Sequence, residues 1–231
     1  MRICILQADN RPNLDYLQLS RKVNEIFAAH YDYDYQFVDI PEVGDYCDNL
    51  HPATKKIYIV RDFLEKATHD IVVFLDSDAW IQNGAWLDYI ITQLIKSKKQ
   101  GCFSRDPYEA RNTYINSGSF ILKVNNYTRA MYKTIMNHLE KYTLHHRIWP
   151  WDQHYVSEYV FNNREHFNVF VPTILNTPIG LVLRHNWSKN QAIYDDPNKI
   201  IGYTREERVT EDLKAYPFRL TDYLDTEPFP N

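Results

Sequence analysis

Asp76 and Asp78 stand at the end of an apolar run, in the stretch VVFLDSDAWIQN that covers residues 72–83. An isolated buried charge is costly, so two carboxylates at the tip of a buried strand need water, a cation or a partner. In extended backbone, side chains two apart point the same way, which lets both face one site while Ser77 points elsewhere. Like charges this close favour a bound cation, because otherwise one carboxylate is driven towards protonation. Hard oxygen ligands suit Mg2+ or Mn2+, and an added imidazole tilts the choice towards Mn2+. A second pair, Asp32 and Asp34 in HYDYDYQ, serves as an internal control. No apolar run leads into it, and a solvated turn accounts for it. Context, not the three letters, separates the two pairs.

Three further stretches place polar residues beside apolar segments. YINSGSFILKVNNYT (residues 114–128) puts Asn116, Ser117 and Gly118 immediately before a strand. Small residues there let backbone approach a ligand closely, although a plain turn explains them equally well. In WPWDQHYVSEYV (residues 149–160), Asp152 opens a helix, so N-capping is its simplest role, and Gln153 points out from the first turn. Trp149 and Trp151 flank Pro150 as a stacking platform or as core. In GLVLRHNWSKN (residues 180–190), His185 follows an apolar strand as Asp76 does, with structural and ligand roles evenly balanced.

Bringing these residues together requires strands that end at one edge. Apolar runs predict buried strands over 2–8, 71–75, 101–104, 119–124, 169–171 and 181–183, with another over 35–40 that Pro41 stops. Helical spacing predicts helices over 16–30, 54–67, 85–97, 126–142 and 152–161. In the first helix Leu17, Val23, Ile26 and Phe27 fall near one face. Strands alternating with helices imply an α/β layered sheet with right-handed crossovers. Ligands of open α/β sheets bind at the carboxyl ends of strands, where Asp76 and Asp78 fall. The charged tail beyond Tyr203 is expected to wrap the surface. No internal repeat or Gly/Ser linker divides the chain, so one domain over 1–231 is the economical reading.

The bulk numbers narrow the function classes. A net charge of −4 argues against a dedicated nucleic-acid binder. Eighteen Tyr and 5 Trp against 6 Gly suit sugar and base stacking, or reflect a compositional bias. Cys4, Cys47 and Cys102 are odd in number and widely spaced, which implies neither a disulfide framework nor a metal motif. No apolar stretch approaches the ~20 residues that span a bilayer, so a cytoplasmic location is expected. Sequons occur at Asn126 and Asn186, a pattern that also arises by chance.

Taken together, FLDSDAWIQN, YINSGSFIL, WDQ and RHNW resemble, in order, the motifs of metal-dependent, retaining glycosyltransferases of the GT-A fold. The nearest groups are family 8 (glycogenin and the bacterial lipooligosaccharide galactosyltransferases) and family 34 (plant xylosyl- and yeast mannosyl/galactosyltransferases). The resemblance runs from about residue 2 to 190. It implies a GT-A domain with a Rossmann-like mixed sheet, whose nucleotide-binding part covers about 1–105. The acceptor and catalytic part would cover about 106–203, and the tail 204–231. It implies further that Asp76, Asp78 and His185 hold Mn2+ (or Mg2+) and that a UDP- or GDP-sugar is the donor. Asn116, Ser117 and Gly118 would line the transferred sugar, with Ser77 beside the metal ligands. Arg61 matches a family arginine that reaches the donor, and Lys56 is a second basic residue on the same helix. Gln7, Ala8 and Asp9 would lie around the base or ribose, and Asp152 and Gln153 beside the anomeric carbon. The family's late motif, H-[FY]-x-G-x-x-K, departs here to His185-Asn186-Trp187-Ser188-Lys189, without the glycine and with a closer lysine. Lys189 would neutralise the leaving diphosphate. The acceptor implied is a glycan or glycoprotein, and the lack of an anchor suits a bacterial or virus-encoded enzyme.

Three rivals remain. An inverting transferase would use Asp152 as general base. A haloacid-dehalogenase-type phosphatase also carries Asp-x-Asp, with the first Asp as nucleophile. Here, however, the motif lies some 70 residues in, with Trp80 in the slot for Thr or Val. A non-catalytic sugar-binding module would use the Trp and Tyr surface alone.

Overall fold

A computed structural model describes residues 1–40, 50–107, 114–187 and 205–215. Its centre is a six-stranded mixed sheet in the order β2-β1-β3-β6-β5-β7. The strands are β1 (Ile3–Asp9), β2 (Asp34–Asp39), β3 (Ile71–Leu75), β5 (Gly101–Arg105), β6 (Ile115–Lys123) and β7 (Phe167–Phe170). β1 runs parallel to β2 and β3, while β6 is antiparallel to both β3 and β5. The chain leaves β1 for β2 on one side and returns to β3 on the other. The crevice outside the carboxyl ends of β1 and β3 is therefore a topological switch point.

Alternation along the strands feeds two apolar layers. Cys4, Leu6, Ala8, Val72 and Phe74 pack against α2 (Pro52–Lys66), α4 (Asn126–Lys141) and α5 (Asp152–Asn162). Ile3, Ile5, Ile71, Val73 and Leu75 face α1 (Asp15–Tyr31), α3 (Gly84–Lys96) and the short α6 (Pro172–Leu175). Cys4 and Cys102 are free, buried thiols within these layers, and burial pushes both up to about 12. No helix among the described residues is long and apolar enough to cross a membrane.

Several sequence expectations need correction. The unforeseen elements include β4 (Ala79–Ile81), directly after the aspartates, the short α6, and α7 (Arg205–Ala215) in the tail. Residues 205–215 of the tail form a helix that docks on α1, where Val209 joins Tyr16, Leu17, Val23 and Trp80 in a third apolar cluster. Ile26 is 41% exposed, because the buried face of α1 runs through Ser20 and Asn24 instead. The strand expected over 181–183 is β8 (Leu183–His185), which leaves Leu181 exposed and puts His185 within the strand.

β6 begins at Ile115, so Asn116, Ser117 and Gly118 lie inside a strand, not in a turn before it. Opposite β5, Ser104 pairs with Asn116 but Cys102 pairs with Ile121. Two steps of β5 thus face five of β6, and the surplus bulges towards the strand ends. Bulges re-aim side chains in this way beside binding sites.

Candidate active site

The two aspartates meet through a turn, not through extended backbone. The Ala79 N–H donates to the Asp76 carbonyl at 3.0 Å, which folds residues 76–79 back on themselves. β4 then pairs with β8 so that Ala79 stands opposite His185, and the Asn186 N–H donates to the Asp78 carbonyl at 2.9 Å. His185 Nε2 consequently lies 3.1 Å from Asp78 Oδ1 and 3.6 Å from Asp76 Oδ2. One ligand atom from each residue falls within 4.8 Å of the others.

The hydrogen-bond network assigns the imidazole tautomer. Asn176 Nδ2 donates to the carbonyls of Asn116 and Ser119, at 2.9 and 3.1 Å, which fixes Asn176 Oδ1 as an acceptor. That oxygen sits 2.6 Å from His185 Nδ1, so the ring proton belongs there. Nε2 then turns its lone pair towards two carboxylates, and three electron-pair donors face a common point. Such a set fits a hard divalent cation, with Asn176 as the outer partner that orients the histidine. Gly118 makes room for the ring. A Cβ built there would lie 1.9 Å from His185 Cε1 and 2.3 Å from Nδ1.

Beside this triad lies a buried charge relay. Asp76 follows Leu75 on the alternate face of the sheet, towards α2, and Lys56 Nζ reaches its Oδ1 at 2.7 Å. The same ammonium lies 3.5 Å from Asp152 Oδ2, which also accepts the Ser117 hydroxyl at 2.7 Å. Burial alone would depress the Lys56 ammonium, but Asp152 and Asp76 outweigh that and hold it charged. Burial raises the Asp152 carboxyl above its ordinary range, against the opposing pull of Lys56. Gln153 donates its amide nitrogen to Asp106 Oδ2. That leaves its amide oxygen free of this bond.

These groups line a cleft of about 1080 Å³. Its described lining includes five carboxylates (Asp9, Asp76, Asp78, Asp106 and Asp152) against two basic side chains, Arg11 and Lys56. An anionic ligand entering so acidic a cleft needs a cation to meet it. Arg11 is itself engaged, since its Nε and terminal nitrogen donate to the two oxygens of Asp9 at 3.0 and 3.1 Å.

Residues 15–197 match the sequence profile of the nucleotide-diphospho-sugar transferases. The chain belongs to this family. No curated protein matches it by sequence. By fold it is similar to a glycosyltransferase involved in glycosylation of the major capsid of PBCV-1, at 16% identity and a TM-score of 0.64. That likeness covers 91% of this chain and all of the other. It is also similar to the galactosyltransferase LgtC (14% identity, TM-score 0.54, 94% of this chain and 96% of that one). A third likeness is to GlyE of Streptococcus pneumoniae TIGR4, at 13% identity and a TM-score of 0.55, covering 92% of this chain but 60% of that one. The transferase is thus a glycosyltransferase with a GT-A fold, and the phosphatase reading falls away.

In this transferase the cleft gathers Ala8, Asp9, Lys56, Asp76, Ser77, Asp78, Asn116, Ser117, Gly118, Asp152, Gln153 and His185. Two expected donor residues lie elsewhere. Gln7 is fully buried behind the cleft, where its amide donates to the Asp76 carbonyl at 3.0 Å and accepts from Asn24 and Tyr35. It braces the Asp76–Ala79 turn from below. Arg61 lies against Asp62 and Met136, on the α4 side of α2. Five residues separate it from Lys56, about 140° around a helix, so both cannot face the cleft. Lys189 lies outside the described residues. Asn186 is 2% exposed and donates to Asp212, so the sequon there is buried. Asn10, Arg11, Tyr16, His51 and Asn176 escaped the sequence reading, because none sits in a motif.

Lys56 has a measurable structural role. Replacing it by methionine leaves the half-buried Asp76 and the buried Asp152 beside each other without their shared cation. We expect a loss of about 3–5 kcal/mol in unfolding free energy by urea denaturation of the metal-free protein. A loss below about 1 kcal/mol would show that water, not Lys56, satisfies the two carboxylates.

Proposed function

We propose that the protein is a divalent-cation-dependent, retaining glycosyltransferase that moves a sugar from a nucleoside diphosphate to an acceptor hydroxyl, most simply one on a glycan. The observation that carries this reading is the convergence of Asp76, Asp78 and His185 with Lys56, Asp152 and Gln153 in one acidic cleft. Asp76 Oδ2, Asp78 Oδ1 and His185 Nε2 would hold Mn2+ or Mg2+. A cation bound there supplies Lewis-acid stabilisation of the departing diphosphate. Ala8 and Asp9, at the end of β1, are placed for the nucleoside, and the bulged Asn116–Gly118 backbone for the transferred sugar. The chain is read as one unit, with residues 1–105 holding the nucleotide and 106–203 presenting the acceptor side. A cytoplasmic setting is consistent with the two free buried thiols.

Retention is favoured over inversion by how Asp152 is used. A general base must reach the acceptor hydroxyl with a free oxygen. Asp152 is 5% exposed, and its Oδ2 already meets the Ser117 hydroxyl and the Lys56 ammonium, which leaves Oδ1 alone to serve an acceptor. Gln153, at the first turn of α5, is the group left to face the anomeric carbon. As the C1–O bond to the diphosphate breaks, its amide oxygen stabilises the positive charge that develops on the sugar.

The test is a panel of UDP- and GDP-sugars assayed for Mn2+-dependent donor hydrolysis, followed by NMR of the glycosylated product. The expected result is turnover of at least one donor with the anomeric configuration kept. Inverted product would assign Asp152 the base role instead, and no turnover across the panel would contradict transfer altogether.

A further inference from the structure

A second group of metal-ligating side chains lies outside the cleft, on the far flank of α5. His154 and Glu158 are four residues apart and so share a face of that helix. His138 comes from the last turn of α4, and its Nδ1 lies 3.1 Å from Glu158 Oε2. His154 Nε2 is 4.0 Å from the same oxygen, and one ligand atom from each of the three falls within 4.8 Å of the others. His145, in the segment joining α4 to α5, packs its ring 4.2 Å from that of His154.

Two features set this apart from an ordinary surface cluster. Neither nitrogen of His154 makes a hydrogen bond among the described residues: Nδ1 is buried without a partner, and the 4.0 Å contact at Nε2 is too long. His145 Nδ1 is likewise buried and unpartnered. An unpaired buried polar atom is costly, and two side by side call for an explanation. Burial, with His145 and His138 nearby, also lowers His154 to about 4, which favours its neutral ring with one lone-pair nitrogen.

We propose that His138, His154 and Glu158 form a zinc site, with His145 completing a four-ligand set after a small rotation of its side chain. Imidazole nitrogens are borderline ligands that favour Zn2+ over Mn2+ or Mg2+, and zinc sites readily include one carboxylate beside them. Ligand atoms about 2.0–2.2 Å from Zn2+ stand roughly 3.3–3.6 Å apart in a tetrahedron, so the 3.1 and 4.0 Å spacings bracket that value and the set would tighten on binding. The ion would pin α4, α5 and their connection together. That connection also carries the carbonyls of His145 and His146, which accept from Thr54 of α2, and the cleft residues Trp149–Trp151. The site is therefore structural, and it steadies the cleft wall from behind.

The experiment is calorimetric titration of metal-stripped protein with Zn2+ alone. The proposal predicts one equivalent that Asp78→Ala retains and His154→Gln loses. Glu158→Gln, at an exposed position, serves as a variant with little folding risk and should weaken the same equivalent at least about tenfold. The proposal is overturned if all bound Zn2+ disappears in Asp78→Ala. It is overturned equally if Glu158→Gln binds the metal as the parent does.

Discussion

Replacing Asp78 by alanine is expected to lower Mn2+-dependent donor turnover by about 10²–10³-fold, since it removes one of the three proposed ligands of the cation that would meet the departing diphosphate. The substitution removes a side chain that is 5% exposed and faces His185 Nε2 across 3.1 Å. Its backbone carbonyl still accepts from Asn186, so the β4–β8 pairing survives. The informative comparison is Asp34→Ala, in the other Asp-x-Asp of the chain. Asp34 lies at the surface with His69 and Arg2, far from any cleft residue in its bonding. Turnover of that variant should stay at the parent level. Steady-state hydrolysis of the best donor at saturating Mn2+ checks both. Equal losses in the two variants would mean that folding, not the site, had been damaged.

Gly118→Ala is the second large effect. The added methyl group would meet three ring atoms of His185, at 1.9 Å from Cε1, 2.3 Å from Nδ1 and 2.8 Å from Nε2. The ring cannot retreat freely, because its Nδ1 is bound to Asn176. Either that bond breaks or the β6 bulge shifts, and overpacking of this kind costs about 1–3 kcal/mol. Losing the orientation of the histidine should weaken Mn2+ binding by about 10–100-fold. Titration of Mn2+ followed by the electron paramagnetic resonance signal of the free ion measures the affinity, and a thermal melt reports the packing cost. Parent-like Mn2+ affinity would mean that His185 is no ligand.

Much of this was legible in the chain before its fold. β3 matches the apolar run at 71–75 residue for residue, since both its faces are buried and every position had to be apolar. The small residues at Asn116–Gly118 stood out in the sequence, though not the strand that contains them. What the sequence could not show is that three surplus residues of β6 bulge, because a bulge depends on the partner strand. Two placements failed for a similar reason. Gln7 sits at a strand end like a ligand-facing residue, yet alternation turns it inward, where Asn24 and Tyr35 complete its bonds. Arg61 matched a family position, but the helical angle turns it away from the cleft that Lys56 lines. Asn176 had no motif to mark it, and its part emerges only from three hydrogen bonds that converge from β6 and β8. The helix in the tail was masked by its polarity, with Val209 the one buried apolar side chain among its described ones.

The central claim is that Asp76, Asp78 and His185 jointly hold the cation that meets the donor diphosphate. The most direct test is a crystal grown with Mn2+ and UDP, with an anomalous difference map collected at the manganese edge. The account predicts one strong peak between Asp76 Oδ2, Asp78 Oδ1 and His185 Nε2, in contact with the diphosphate oxygens. A diphosphate bound in the cleft with no peak among these three atoms would contradict it.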